Sequence, residues 1–282
     1  MTLLELTIAI LFLIMLILCF MRVLLALPHR SGKPSQNSID SFEIGTAKTI
    51  GDREVQEDEY GTNNFGEGLM VVLADGQGKL HSGRIASLTS IQVFQEIFQL
   101  REAFYNPQYY FGKAFRRANK EVLQKLADNR GTASVGVALI RDLTLYYAVV
   151  GNIKIAVYRN RELVPISAGH TIDMLAKQKY QEGKLTKQET VALLENHRLY
   201  NFVGRDGFRD VEVFDTPIVL RTGEYVLLMS DGVYETIRWR DIEECLGKEG
   251  SCQSKAEALV EMVDQKRQND KDNASVIVIR VY

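Results

Sequence analysis

Four short stretches set acidic residues beside glycine, asparagine or arginine: residues 53–58 (REVQED), Asp75-Gly76-Gln77-Gly78, Asp231-Gly232 and Asp272-Asn273. The second follows the apolar run LMVVLA, the third contains the end of YVLLMSDG, and the fourth stands directly before the apolar run at 275–281. An Asp at the end of an apolar strand is held by the sheet while its carboxylate points off the edge. A following Gly lets the backbone bend tightly and brings a carbonyl close to a ligand. Several such carboxylates gathered together repel one another, and a hard divalent cation offsets that repulsion. Mg²⁺ or Mn²⁺ suits an oxygen-only donor set. One Asp-Gly alone is an ordinary turn, so the signal lies in the joint pattern. If 53–58 is extended, Arg53, Val55 and Glu57 project to one side and Asp58 to the other. A cation and a carboxylate then face the same cavity. A surface salt bridge from Arg53 to Glu57 or Asp58 is the plain alternative.

The apolar pattern supplies the elements that must hold these residues. A buried strand is predicted within 66–74. Residues 86–104 and 109–126 carry apolar side chains at helical spacing and predict two long core-facing helices joined near Asn106-Pro107. Strands are predicted at 134–140, 143–150, 153–158, 162–166, 211–214, 218–220 and 225–229, with tight turns at Arg141-Asp142 and Arg159-Asn160. A helix is predicted over 254–268. A last strand over 274–281 is expected mid-sheet, beside a strand early in the domain. Hairpin strands with helices grouped between them argue for an α+β fold and against a βαβ series.

Composition narrows the class. The 282 residues are 46% hydrophobic and 25% charged, as expected of a folded chain. Lys+Arg 34 against Asp+Glu 36 gives a net charge of -2. Such a balance provides no polycationic surface, so nucleic acid is not an expected partner, although a local patch stays open. Three Cys exclude a disulfide-framed fold. Residues 6–21 carry no charge, and the run resumes after Arg22, which can snorkel along its aliphatic stem. Glu5 precedes the run and no Lys or Arg does, which argues for a membrane anchor over a cleaved signal peptide. Arg22, Arg30 and Lys33 on the far side place the remainder in the cytoplasm. The expected organisation is a transmembrane anchor at 1–28, a linker at 29–41 and one domain at 42–282, in a single-pass protein of the cell membrane.

Taken in order, the motifs resemble the PP2C-like, metal-dependent Ser/Thr protein phosphatases in their compact bacterial form. The likeness runs over about residues 45–282. It comprises 53–58, 72–78 (VLADGQG), Gly131-Thr132-Ala133-Ser134, Val150-Gly151-Asn152, Ala168-Gly169-His170-Thr171, Lys184-Leu185-Thr186, Val203-Gly204, 227–232 (LLMSDG) and 271–276 (KDNASV). The resemblance implies a four-layer α-β-β-α sandwich of two antiparallel sheets, here with the N-terminal transmembrane helix added. It implies a binuclear centre of two Mg²⁺ or Mn²⁺ ions at one end of the sandwich. Asp75 would bridge the ions and the Gly76 carbonyl would serve one of them. Asp231 and Asp272 would serve the first ion and Glu57 the second, with Asp58 acting through water and Arg53 binding the substrate phosphate. The implied activity is hydrolysis of phosphoserine and phosphothreonine in proteins by activated water. A phosphorylated protein substrate, an opposing Ser/Thr kinase and the membrane are the implied partners.

Two positions depart from that pattern. Gln77 stands where many members have His, the suggested general acid. Asn152 stands where Asp usually helps to bind a third, weaker metal, so that site is expected to be weakened; otherwise Asn152 is simply a turn residue. These departures motivate the alternative of a catalytically weak or inactive pseudophosphatase, acting as a membrane-anchored binding or regulatory module. Residues 171–198 are expected to form a helical flap whose lysines, including Lys177, Lys179, Lys184 and Lys187, either rim the site or simply face solvent.

Overall fold

The computed structural model describes residues 42–127, 129–208 and 210–282. Their strands are β1 (Phe42–Thr49), β2 (Glu59–Phe65), β3 (Gly68–Gly78), β4 (Gly131–Arg141), β5 (Thr144–Val150), β6 (Lys154–Arg159), β7 (Glu162–Pro165), β8 (Glu212–Val213), β9 (Ile218–Val219), β10 (Tyr225–Met229) and β11 (Ala274–Val281). The helices are α1 (Ser82–Ile97), α2 (Arg101–Tyr105), α3 (Pro107–Leu126), α4 (Ile172–Gln181), α5 (Lys187–Leu193), α6 (Asp231–Tyr234), α7 (Trp239–Gly247) and α8 (Cys252–Gln265).

Strand side chains alternate between faces, and here both faces are covered. On β3, Leu69, Val71 and Leu73 enter a core between the sheets, while Met70, Val72 and Ala74 pack against helices. On β11, Ile277, Ile279 and Val281 enter the central core, while Ala274, Val276 and Val278 face the other helices. Double coverage explains why these strands read as unbroken apolar runs. One sheet has the order β1-β11-β10-β6-β7, and the other β2-β3-β4-β5-β8 with β9 also on β5. All pairings are antiparallel. The α+β sandwich is therefore present, with β11 mid-sheet beside the early strand β1.

The structure corrects the membrane element of the expected fold. Among the described residues no helix is long and apolar enough to cross a membrane. The expected anchor at 1–28 and linker at 29–41 lie outside the described residues. Among the described residues the fold class is accordingly the sandwich, with no helix that could cross a membrane, and the single-pass location is withdrawn.

Local chemistry sets several boundaries. The two hairpin turns fall one residue later than expected, on Asp142-Leu143 and Asn160-Arg161, where φ is 50, 56, 52 and 66. Two-residue turns with positive φ at both positions match the strand twist, and Asp or Asn tolerates the first. The helical region after α1 breaks at Leu100, so the predicted 86–104 helix becomes α1 and α2. Thr186 caps α5 in a reciprocal capping box with Glu189. The buried Lys255 amine donates to the carbonyls of Cys245, Leu246 and Lys248, closing the C-terminal end of α7. Cys245 and Cys252 are buried free thiols.

Helix α1 is clamped to helix α3 by aromatic packing. Phe94 is fully buried and meets Phe115 edge-on at 4.9 Å between ring centroids. Phe94→Ala is expected to cost about 3–5 kcal/mol, measured by urea unfolding. A loss below about 1 kcal/mol would show that this contact does not fasten the helix.

Candidate active site

Chain segments from different strand connections converge at one end of the sandwich. Asp75 lies near the end of β3, opposite Ser134 of β4. Asp231 opens α6 directly after β10, and Asp272 precedes β11. They line a cavity of about 460 Å³ together with Arg53, Glu57, Gly76, Gln77 and Asn152. No strand forms over 53–58; the chain bends at Glu54 and Val55, and β2 begins at Glu59. Arg53, Val55 and Glu57 nevertheless reach the cavity, as does Glu54.

Close backbone contact fixes the floor. A Cβ on Gly76 would strike the Gly83 carbonyl, and one on Gly83 would come within 2.7 Å of the Glu57 carboxylate. Only glycines let the start of α1 approach β3 this closely. The Glu57 carboxylate accepts from the Arg84 backbone N–H at 3.2 Å, a favourable place for an anion at a helix N-terminus. Its own N–H donates to Asn273 Oδ1 at 2.7 Å, tying the segment to the approach to β11.

The electrostatics are those of crowded anions. Burial first, and then the charges of Asp231, Asp58 and Asp272, hold the Asp75 carboxyl well above its ordinary range. Asp75 and Asp231 lie within hydrogen-bonding reach, so a proton on Asp75 can be donated to Asp231. Asp231 is also raised, by burial and then by Asp272, against the bond that Asn152 Nδ2 donates to it at 2.8 Å. Asn152 is thus more than a turn residue. Burial, reinforced by Asp231 and Asp272, pushes Asp58 up to about 7. Ser230 Oγ donates to Asp58 Oδ2 at 2.9 Å.

Arg53 is the cavity's internal counter-charge. Its Nε and Nη2 donate to the two carboxylate oxygens of Asp272 at 3.1 and 3.2 Å, and Nη1 donates to Asp270 at 3.1 Å. The Asp272 bonds come first among the causes that raise the guanidinium pKa. The salt bridge foreseen as the plain alternative for Arg53 exists, with Asp272 and Asp270 as partners in place of Glu57 or Asp58.

The donor types suit a hard divalent cation. Asp58 Oδ1 and Asn152 Oδ1 are buried without a hydrogen-bond partner, and the acidic oxygens nearby repel one another. The arrangement is not preassembled, however. Among the described residues no group of three or more His, Cys, Asp or Glu side chains is placed to hold a metal ion. Asp272 is turned onto Arg53, and Glu57 onto the start of α1.

The flap comprises α4 and α5. His170 N–H donates to Gly151 O at 2.7 Å and Gly151 N–H donates to His170 Nδ1 at 3.2 Å, fixing it beside Asn152. Lys177 pairs with Asp173, and Lys179 and Lys184 pair with Glu182. None of the three lines this cavity. Ser230 and Asn273, each adjacent to a candidate ligand, gained no role from sequence; their positions beside Asp231 and Asp272 were the available signal.

The profile of the Stage II sporulation protein E (SpoIIE) family matches residues 66–282. The chain belongs to this family. It is 23% identical over 247 residues to protein phosphatase PhpP of Streptococcus pneumoniae, covering 84% of this chain and 97% of that protein. It is 21% identical over 217 residues to the serine/threonine phosphatase stp of Listeria monocytogenes, covering 74% and 83%. The structure of the S. agalactiae serine/threonine phosphatase aligns with a TM-score of 0.74 at 19% identity, covering 86% and 100%. The PstP catalytic domain in complex with two manganese ions aligns with a TM-score of 0.66 at 20% identity, covering 85% and 98%. These similarities support a PP2C/PPM-type Ser/Thr phosphatase fold and family, and phosphatase activity at the level of that family.

A pH prediction follows for cation-free protein. With its folded pKa near 7 and its ordinary value 3.8, Asp58 binds more proton folded than unfolded between those limits. Its contribution to stability therefore falls as pH rises through that window. His170, held neutral chiefly by burial, gives the opposite slope, so the comparison is with Asp58→Asn. In EDTA, wild type should lose stability relative to Asp58→Asn in thermal unfolding between pH 5 and 7. Parallel profiles would show that Asp58 is not held protonated.

Proposed function

We propose that the chain is a PPM-type module that recognises phosphorylated Ser or Thr segments of proteins at the Asp75–Asp231 cavity and hydrolyses them weakly or not at all. The ion pair between Arg53 and Asp272 carries this reading. It removes one carboxylate from the cation-binding set and one guanidinium from the phosphate at the same time. Gln77 adds to the deficit, because an amide does not give up a proton usefully near neutral pH. General acid catalysis is worth typically 10²–10⁴-fold. Asn152 is uncharged where a carboxylate would strengthen a further cation site.

A phosphate entering an anionic cavity needs positive charge. Mg²⁺ or Mn²⁺ would be held by Asp75, the Gly76 carbonyl and Asp231, and by Asp272 once Arg53 releases it, with Glu57 and Asp58 alongside. When bound, such ions supply Lewis acidity toward water and toward phosphoryl oxygens. The chain's own residues do the positioning. Arg53, freed from Asp272, can pair bidentately with two phosphoryl oxygens. Ser230 holds Asp58, and Gly76 and Gly83 keep helix α1 against the cavity floor.

One observation favours a second reading, a cation-dependent Ser/Thr phosphatase of ordinary rate. Asp58, Asp75 and Asp231 are gathered despite mutual repulsion, and a pure scaffold has no use for that. A phosphoprotein substrate and an opposing Ser/Thr kinase belong to either reading.

Phosphate release from a phosphothreonine peptide and from an aryl phosphate, in Mn²⁺, Mg²⁺ and EDTA, separates the two. The first reading expects slow, cation-dependent release that favours the aryl ester. It also expects Gln77→His to raise phosphothreonine turnover by about 10²-fold or more, with little gain on the aryl ester. Rapid cation-dependent turnover of the peptide by wild type, lost in Asp231→Asn, overturns it in favour of the second.

A further inference from the structure

A second cavity of about 480 Å³ adjoins the first. The two share Gln77, Thr132, Asn152, Leu199 and Asp231 as lining residues, so they form one continuous depression. What distinguishes the second is its rim, where Arg130, His197 and Arg198 are added. Both arginines are exposed. Among the described residues neither guanidinium has an ion pair or hydrogen bond, unlike Arg53, Arg117, Arg159 and Arg238, which do. Their backbones are nonetheless fixed. Arg130 directly precedes β4, and its carbonyl accepts from Ser82 Oγ at 3.0 Å. Arg198 accepts through its carbonyl from Ile172 N–H at 3.0 Å, at the return of the flap.

We propose that this second cavity is an anion subsite for the substrate segment, in which Arg130 and Arg198 take the carboxylate of an acidic residue next to the phosphorylated one. The inference rests on the phosphopeptide reading of the first cavity and adds the substrate class. An extended peptide advances about 3.3 Å per residue, so a residue one or two positions from the phosphorylated side chain falls in the adjoining space. The cavity supplies the sign. Asp231 on its floor, with Asp173 beside His197 and Glu235 near Asp231, repels an anion that penetrates deeply. The two free guanidiniums at the rim hold a carboxylate there, and their planar forks match it bidentately. A lysine at the same peptide position would meet the arginines instead.

The test is fluorescence anisotropy of the full chain in Mn²⁺ with three phosphothreonine peptides, carrying Asp, Asn or Lys at both flanking positions. The Asp peptide should bind about tenfold tighter than the Asn peptide, with the Lys peptide weakest and the spread shrinking at high salt. Arg130→Gln and Arg198→Gln should each weaken the Asp peptide more than the Asn peptide, reducing the Asp preference. Arg198→Glu should shift preference toward the Lys peptide, an outcome that a merely structural role would not produce. Equal binding of the three peptides, or equal losses for the Asp and Asn peptides in the variants, overturns the subsite and leaves the phosphopeptide reading intact. Absence of binding by any peptide to folded protein overturns both.

Discussion

Mutual repulsion among carboxylates at one end of two stacked sheets is the constraint on which the rest of the molecule depends. Asp58, Asp231 and Asp272 come from three different connections and Asp75 from β3, so their separation is set by sheet packing and not by any one loop. The registers Asp75↔Ser134 and Met229↔Val276 fix two of those segments to their neighbours. Between the sheets, side chains such as Leu73, Ile155 and Ile277 form a continuous apolar layer. The carboxyls therefore cannot move apart without disturbing that layer. Asp58, Asp75 and Asp231 respond by resisting ionisation, which is what burial and like charge together enforce.

Relief comes from within and from outside. Arg53 is the internal source, but its side chain is 43% exposed and Asp272 is 52% exposed. An ion pair that open to water is worth little, about 0–1 kcal/mol. It is a competitor for Asp272 and not a lock. A divalent ion touching several carboxylates at once would compete for Asp272 while also addressing the Asp75–Asp231 pair, whose charge Arg53 feels but which it does not touch. On the proposed reading, the balance between these two counter-charges would decide whether Arg53 faces a carboxylate or a phosphate.

Legibility in the sequence followed burial. The central strands β3, β4, β10 and β11 are covered on both faces, and their unbroken apolar runs announced them. The strands that carried no clear signal, β1 and β2, are the edges of their sheets, with partly exposed and mixed sequences such as EYGTNNF. The short helices α6 and α7 offer too few turns for a period to emerge. At the site, Asp at a strand end before Gly was readable because backbone geometry demands it. The partner of Arg53 was not, since Asp272 lies 219 positions away in sequence and only β11 pairing with β1 brings it near. Alternation along 53–58 matched Arg53, Val55 and Glu57 but not Glu54, which also lines the cavity where the segment bends. The flap lysines, left open between rim and solvent, are satisfied by local acidic neighbours at Lys177, Lys179 and Lys184, whereas Arg130 and Arg198 draw attention only once two distant segments share a wall.

That separation has a physical consequence for how the site can change. The anionic floor is tied to the core through Asp58, Ser230 and the Gly76–Gly83 contact, so altering it disturbs packing as well as charge. The two rim arginines are exposed, and among the described residues their guanidiniums make no hydrogen bond or ion pair; surface substitutions of that kind usually fall within about 0.5 kcal/mol. On the proposed readings, affinity for cations and choice of flanking sequence would therefore reside in different parts of one depression, under different energetic constraints. A rim arginine can be replaced without touching the carboxylates, whereas a floor carboxylate cannot be replaced without changing the charge that every bound anion experiences.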